Sequence, residues 1–425
     1  MNVAVAGIPK TIDNDIDHID RTFGFQSAVE AAQKAIRAAK VEATCNLPNG
    51  IGIVKLMGRS AGFIAAHASL GSGDVDLCLI PEVPIQLEGE YGVLPHLFDR
   101  VQKKGFAVVV VAEGAGEELL GESTEKDASG NKKLPQIGEF MKNTTEAYFK
   151  KQGETATVKY IDPSYMVRSI PANAADTIYC MKLAQNAVHG CMAGFTGFSV
   201  GLCNNKMVML PIPQLVATSP RHMDPKGRTW ERVVAITRQP SAPSENVEDG
   251  SEEQFPGTLL EDIRIRNIFQ AEIEHLSAYF ESEAPKGYLN TMHGYDFNDE
   301  ITTTANKALL RASVVAVSRL PVIRDLLPKK KTPYNSLIKD GECVIYDVVL
   351  KPGKNIDLRA FPRAGPRESL HFNPKTVNAA ILTCGGLCPG LNVVVRSLTH
   401  SLIYEYGIRG KGKSLSLHSL RGIAY

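Results

Sequence analysis

Four short runs in this chain, Val3 to Gly7, Ile51 to Met57, Val75 to Ile80 and Phe106 to Ala112, are rich in Val, Ile and Leu and largely apolar on both faces. A strand with one wet face alternates apolar and polar residues, whereas a continuous apolar run fits a strand covered on both sides, as in a parallel sheet between helices. Helical patterns lie between the runs: Phe25 to Ala43, full of Ala, Gln, Lys and Glu, then Ala61 to Leu70, then Gly92 to Lys104, which stops before Gly105. This alternation predicts an α/β fold, doubly wound, with mostly parallel sheets and helices on both faces. Further helices are expected at Ile137 to Gln152 and Ala172 to His189, with a strand at Met207 to Pro211.

The pattern breaks after Gln239. Residues 240–257 are polar, acidic and rich in Pro and Ser, which reads as a linker. Residues 258–360 are expected to be mostly helical, with patches at Ile263 to Ser282 and Ala305 to Arg319, and the basic run Lys329 to Lys331 reads as a solvated loop. A βα unit resumes near Asn378, with a strand over Ala379 to Thr383, a turn over Cys384 to Gly390 and a helix over Asn392 to Tyr406. The 425 residues suffice for two to four domains.

Composition narrows the function classes. Lys plus Arg at 47 against Asp plus Glu at 46 leaves a net charge of +1, so no basic footprint argues for nucleic acid. No apolar run reaches the length of a membrane span. The eight cysteines are scattered through a long chain, which points to a reducing compartment, and cytoplasm is the expected location. Cys384 and Cys388 are separated by three residues, without the second ligand pair of a zinc site.

Four motifs carry candidate chemistry. Pro9-Lys-Thr-Ile-Asp-Asn-Asp15 follows the first strand, where open α/β sheets place their ligand crevice. Carboxylates at Asp13 and Asp15 suit proton abstraction from a hydroxyl and a divalent cation held against phosphate; a helix-capping turn is the plain alternative. Met57-Gly-Arg-Ser60 offers close backbone approach at Gly58 and a planar fork for phosphate at Arg59, while Glu113 ends a strand and can accept hydrogen bonds from a sugar hydroxyl or cap a helix. In Lys159-Tyr-Ile-Asp-Pro-Ser-Tyr-Met-Val-Arg168, Lys159, Tyr165 and Arg168 can converge on one anion, although a buried Tyr beside an exposed ion pair is the simpler alternative. Thr383-Cys-Gly-Gly-Leu-Cys-Pro-Gly-Leu-Asn392 is a glycine-rich turn opening a helix, suited to nucleotide phosphates or to a tight turn alone. Its spacing is neither a P-loop nor Gly-x-Gly-x-x-Gly.

Together with Pro81-Glu-Val83 and Arg363-Ala-Gly-Pro-Arg-Glu368, these segments resemble the phosphofructokinase family, most closely the ATP-dependent branch of plants and kinetoplastids. The resemblance covers roughly residues 1–240 and 361–425. It implies a 6-phosphofructokinase in which Asp13 takes the proton of the 1-hydroxyl of fructose 6-phosphate. Thr11 and Ile12 would flank the sugar, and Asp15 would help order Mg²⁺. Met57, Gly58 and Arg59 look like the segment that holds substrate and steadies the transferring phosphoryl group. Glu113 is similar to the carboxylate that binds sugar hydroxyls, and Lys159, Tyr165 and Arg168 fall where the family grips the 6-phosphate. Gly385, Gly386 and Asn392, with Lys10, match the surroundings of the donor phosphates of ATP. The resemblance also implies self-association into a homo-oligomer.

The order of these motifs is reversed relative to the family. Residues 1–239 read as the sugar-phosphate and catalytic half, and residues 361–425 as the start of a truncated nucleotide-binding half. The intervening Gly-Gly-Asp-Gly-Thr type of motif, which contacts donor phosphates and Mg²⁺, is not found in the sequence. The expected origin is the junction of two tandem units, ahead of an incomplete circular permutation or a mis-assembled gene model. ATP is the expected donor. Pyrophosphate, or a non-catalytic sugar-phosphate-binding role, is the alternative.

Overall fold

The computed structural model describes residues 3–121, 134–241, 336–346 and 359–408, together with the backbone of two short strands at 313–314 and 414–416. In chain order the elements begin β1 (Ala6–Gly7), α1 (Phe25–Cys45), β2 (Gly50–Leu56), α2 (Phe63–Ser72), β3 (Leu77–Leu79), α3 (Val93–Lys104) and β4 (Phe106–Ala112). They continue with α4 (Glu117–Leu120), α5 (Ile137–Lys151), β5 (Thr157–Ile161), α6 (Ser164–Arg168), α7 (Ala174–Met192), β6 (Phe198–Cys203), β7 (Lys206–Pro211), α8 (Ile212–Thr218) and α9 (Arg228–Thr237). The later part holds β8 (Ser313–Val314), β9 (Cys343–Ile345), β10 (Arg359–Pro362), β11 (Ile381–Thr383), α10 (Leu391–His400) and β12 (Ser414–Ser416).

The main sheet is fully parallel, in the order β3-β4-β2-β5. Its central strands explain the unbroken apolar runs. Val54, Leu56, Val108, Val110 and Ala112 pack with Ile36, Ala39, Ile64 and Ala65 of α1 and α2. The intervening Ile51, Ile53, Val109 and Val111 pack on the opposite face with Leu94, Leu97 and Val101 of α3 and Ile137, Met141 and Phe149 of α5. Both faces are dry, so both sets of side chains must be apolar.

α1 lies close on this sheet because both surfaces are small. Ala28, Ala32, Ala39 and Ala43 are fully buried along it, and β2 answers with Gly50 and Gly52. A Cβ on Gly50 would stand 1.9 Å from the Ala43 carbonyl oxygen, and one on Gly52 2.5 Å from that of Ala39. Any side chain there would push the helix away and open a void along a close-packed interface.

Expected and observed bounds agree within a few residues for β2, β3, β4, β7, α1, α2, α3, α5 and α7. The first run differs. Only Ala6 and Gly7 of Val3 to Gly7 pair, and they pair with Phe198 and Ser199 of β6 rather than with the main sheet. Val3 and Val5 are each 53% exposed, and among the described residues neither pairs in a sheet. The second sheet runs β1-β6-β7, with β6 and β7 antiparallel across a two-residue turn at Asn204 and Asn205, whose φ values of 48° and 60° fit a tight hairpin.

The later described segments belong to the same compact unit as residues 3–241. β10 lies between β8 and β9. Phe361 on β10 is fully buried against Ile19, Val208 and Leu210, which covers the outer face of the second sheet. Ser313 and Val314 fall within the patch expected to be helical at Ala305 to Arg319, yet they run as a strand parallel to Arg359 and Ala360. Sheet pairing there overrides the local propensity. The rest of that patch, Ile263 to Ser282 and Lys329 to Lys331 lie outside the described residues. The expected helix from Asn392 to Tyr406 is α10 followed by one π-helical turn, Ser401–Glu405. Among the described residues, no helix is long and apolar enough to cross a membrane.

Candidate functional site

Because β2, β4 and β5 are parallel and in register, their carboxyl ends open on one edge of the sheet. β2 ends at Leu56 and delivers Met57, Gly58 and Arg59; β4 ends at Ala112 and delivers Glu113; β5 ends at Ile161 and delivers Asp162. The Glu113 N–H donates to the Leu56 carbonyl at 2.9 Å and the Gly114 N–H to the Gly58 carbonyl at 3.1 Å, so the two strand ends are locked together. A Cβ on Gly114 would stand 1.9 Å from the Arg59 carbonyl oxygen, which leaves room for glycine alone. Gly58 itself has φ 136°, a conformation glycine supplies without strain.

The loop after β1 brings its carboxylates to this edge. Asp13 Oδ1 and Asp15 Oδ1 are both buried and accept no hydrogen bond. Burial pushes the Asp13 carboxyl up to about 7; the negative charges of Asp15 and Glu113 add to the rise and Arg59 opposes it. Burial likewise raises Glu113, against the cations of Arg59, Lys55 and Arg168. Between the two aspartates, Asn14 has a left-handed backbone (φ 61°), and its Oδ1 accepts the Thr22 N–H at 2.9 Å. Thr11 Oγ1 accepts the Asp13 N–H at 3.2 Å, and Ile12 is buried beneath the loop. The helix-capping alternative for this motif therefore does not describe it: α1 starts later, after Gly24, and the two Oδ1 atoms are left without N–H partners.

Tyr165 and Arg168 lie on the short α6, as their spacing allows, with the Arg168 guanidinium 4.8 Å over the Tyr165 ring. Tyr165 is 73% exposed, while Arg168 Nε is buried and unpartnered. Lys159 stands two residues before the end of β5, opposite Gly52 of β2, and is exposed.

The glycine-rich turn, more than 370 residues away in sequence, meets the carboxylate loop. Lys10 Nζ donates to the Gly386 carbonyl at 2.5 Å, and a Cβ on Gly385 would stand 3.0 Å from that same nitrogen. Farther along, the turn is buried: Cys388 Sγ donates to the Phe23 carbonyl at 3.3 Å. Gly390 (φ 98°) sits where a Cβ would lie 2.6 Å from Cys180 Sγ. Residues Cys384 to Leu387 are exposed, as is Asn392 on the first turn of α10. The buried half anchors the turn and the exposed half presents its N–H groups.

Three further groups belong to this edge. Lys55 forms an ion pair with Asp162 at 2.6 Å, and its ammonium also acts on Glu113. Glu82, in the Pro81-Glu-Val83 segment, accepts the Gly62 N–H at 3.0 and 3.1 Å through its two oxygens. Arg221 donates to the main chain of the carboxylate loop. Lys55 leaves a trace in the sequence as the one charge in an apolar strand run; Arg221 leaves none, since its partners are backbone carbonyls far away in the chain.

Comparison with known proteins shows what the chain is similar to. The family model described as Phosphofructokinase matches residues 1–191. The chain is 52% identical over 240 residues to the chloroplastic ATP-dependent 6-phosphofructokinase 5 of Arabidopsis thaliana, covering 56% of this chain and 44% of that protein. It is 48% identical over 250 residues to the ATP-dependent 6-phosphofructokinase of Amycolatopsis methanolica (57% of this chain, 54% of that protein). To that of Trypanosoma cruzi it is 44% identical over 240 residues (56% and 48%). The chain thus spans about half the length of the curated relatives it matches. Residues 1–191 of this chain are thus similar to the phosphofructokinase family.

Proposed function

We propose that this chain transfers the γ-phosphoryl group of ATP to the 1-hydroxyl of fructose 6-phosphate, giving fructose 1,6-bisphosphate and ADP, a step of glycolysis. The observation that carries the reading is the contact between Lys10 and Gly386. A glycine-rich turn beside a pair of carboxylates supports donor and acceptor chemistry at one site, although their motifs stand in reversed order. The identity to proteins named ATP-dependent 6-phosphofructokinase supports ATP over pyrophosphate.

In this reading the sugar lies across the sheet edge, flanked by Thr11, Ile12, Met57 and Gly58, with hydroxyls on Glu113 and the 6-phosphate on Tyr165 and Arg168. Asp13 accepts the 1-hydroxyl proton as the oxygen bonds to the γ-phosphorus and the bond from that phosphorus to the bridging oxygen of ADP breaks. Arg59 offsets the charge on the transferring group, and Lys10 with the N–H groups around Gly385, Gly386 and Asn392 holds the donor phosphates. Such a reaction depends on positioning and charge neutralisation more than on covalent chemistry.

The carboxylate loop fits Mg²⁺. Asp13 and Asp15 offer buried oxygens that accept no hydrogen bond, and a magnesium ion commonly uses one or two carboxylates with substrate phosphates for the rest. Among the described residues no group of three or more His, Cys, Asp or Glu stands together to hold an ion. When bound, the ion would neutralise charge on the donor phosphates, with Asp15 as its holder. Residues 1–239 are assigned the acceptor half and residues 361–425 the start of the donor half, in a cytoplasmic, self-associating protein.

A coupled assay of fructose 1,6-bisphosphate formation tests the reading. Activity that requires both ATP and Mg²⁺ and falls with Asp13→Ala is expected. Fructose 6-phosphate binding without phosphorylation would favour a sugar-phosphate-binding role, and equal turnover in the variant would overturn the assignment of Asp13.

A further inference from the structure

The loop that carries Asp13 and Asp15 follows a strand of the second sheet, while Arg59 follows a strand of the main sheet. Their separation is therefore not set by strand register. The segment from Ser219 to Met223 spans the gap. On one side Ser219 Oγ accepts the Asp17 N–H at 3.0 Å, and the Arg221 N–H donates to the Asp15 carbonyl at 2.7 Å. The Arg221 guanidinium donates through Nε to the Asn14 carbonyl and through Nη1 to the Ile19 carbonyl, each at 3.1 Å. On the other side His222 Nδ1 donates to the Ser60 carbonyl at 2.7 Å. The Met223 N–H donates to Glu82 Oε1 at 2.8 Å, the carboxylate that also holds the Gly62 N–H. The guanidinium lies 5.1 Å over the ring of Phe63, the first residue of α2.

We propose that Arg221 is a positioning residue for phosphoryl transfer: it fixes the Asn14 turn, and hence the aim of Asp13 and Asp15, relative to Arg59, with His222 and Met223 clasping the Arg59 side. The kinetic part of this proposal rests on the function proposed above; the structural part does not. A rigid fork reaching two carbonyls five residues apart closes the turn, and a lysine ammonium can serve as a point charge but cannot reproduce that planar geometry. A shift of about 1 Å in such a constellation is enough to cost ~100-fold in rate.

The test compares the whole chain with Arg221→Met, Arg221→Lys and His222→Ala, reading steady-state kinetics and amide hydrogen exchange. For Arg221→Met the expectation is a kcat about 100-fold lower. The KM for fructose 6-phosphate should change little, with partial recovery in Arg221→Lys. Exchange should quicken at Asp17 and Thr22, whose N–H groups are bonded within or to the loop, while β4 stays protected. Should Arg221→Met fail to fold, His222→Ala serves, with faster exchange at Gly62 and a smaller fall in kcat. Unchanged kcat in a folded Arg221→Met, or exchange altered only within residues 219–223, overturns the proposal. If the parent chain shows no phosphorylation, the function proposed above fails, and exchange at Asp17, Thr22 and Gly62 alone decides whether Arg221 positions the loop.

Discussion

The two sides of the cleft are built differently. Gly58, Arg59 and Glu113 follow the ends of neighbouring strands that are buried apart from Lys55 and Phe106, and the N–H groups of Glu113 and Gly114 bridge from one strand end to the other. The glycine-rich turn is buried over Cys388 to Gly390, and its residues Cys384 to Leu387 are exposed. An acceptor sugar must be held in a near-attack geometry, which rigid strand ends provide. Donor phosphates are gripped by backbone N–H groups, which a turn on the surface can present with Lys10 as its tie to the other wall.

Substitutions on the two sides should separate along this line. The largest effect is expected at Asp13. Asp13→Ala should lower kcat by about 1000-fold, as for loss of a general base, with little change in thermal midpoint because the buried oxygen makes no hydrogen bond. A large loss of stability would mean that the carboxylate is structural.

Next is an acid effect on the turn's side. Burial holds the His189 imidazole neutral and lowers it to about 4, and its Nδ1 meets the Tyr406 hydroxyl at 2.7 Å, which ties α7 to the segment after α10. An unfolded chain would protonate this histidine near 6.5, so its contribution is whole above that pH and is lost as pH falls toward 4. Between pH 7.5 and 4 the loss should reach about 3 kcal/mol. Urea unfolding of the parent and of His189→Gln across this range measures it as the difference in their pH dependence, and parallel curves would remove His189 from the account.

Gly390→Ala should follow, at about 2 kcal/mol, since its φ of 98° and the nearby Cys180 sulfur both oppose a side chain. Differential scanning calorimetry gives the stability, and titration calorimetry should show weakened ATP with fructose 6-phosphate retained. The smallest effect is expected for Lys10→Met, roughly 10-fold in ATP affinity, in the range of one charged hydrogen bond. Equal weakening of both ligands would erase the distinction between the two sides.

Much of this was legible in the residues. Phe106 to Ala112 announced a strand covered on both faces and is one, and Asp13, Arg59 and Glu113 were placed at strand ends that the structure brings to one edge. Other features were not. The spacing of Tyr165 and Arg168 predicted one helical face and they share α6, whereas Lys159 lies on the preceding strand β5, where local spacing says nothing about its neighbours. Lys55 was visible only as the one charge in an apolar strand run, and Ser313 and Val314 read as helix because their strand partners lie beyond any local window.

The sequence by itself determined the strand and helix alternation, the glycines that permit close approach, and the chemical groups at the strand ends. Those properties depend on period, size and charge within a few residues. The tertiary structure alone decided that β1 leaves the main sheet for β6, that Lys10 meets Gly386, and that Arg221 holds the loop of Asp13 and Asp15. Each is a pairing between distant residues, chosen by how buried faces and backbone carbonyls are satisfied in the assembled core, and no short stretch of chain carries that information.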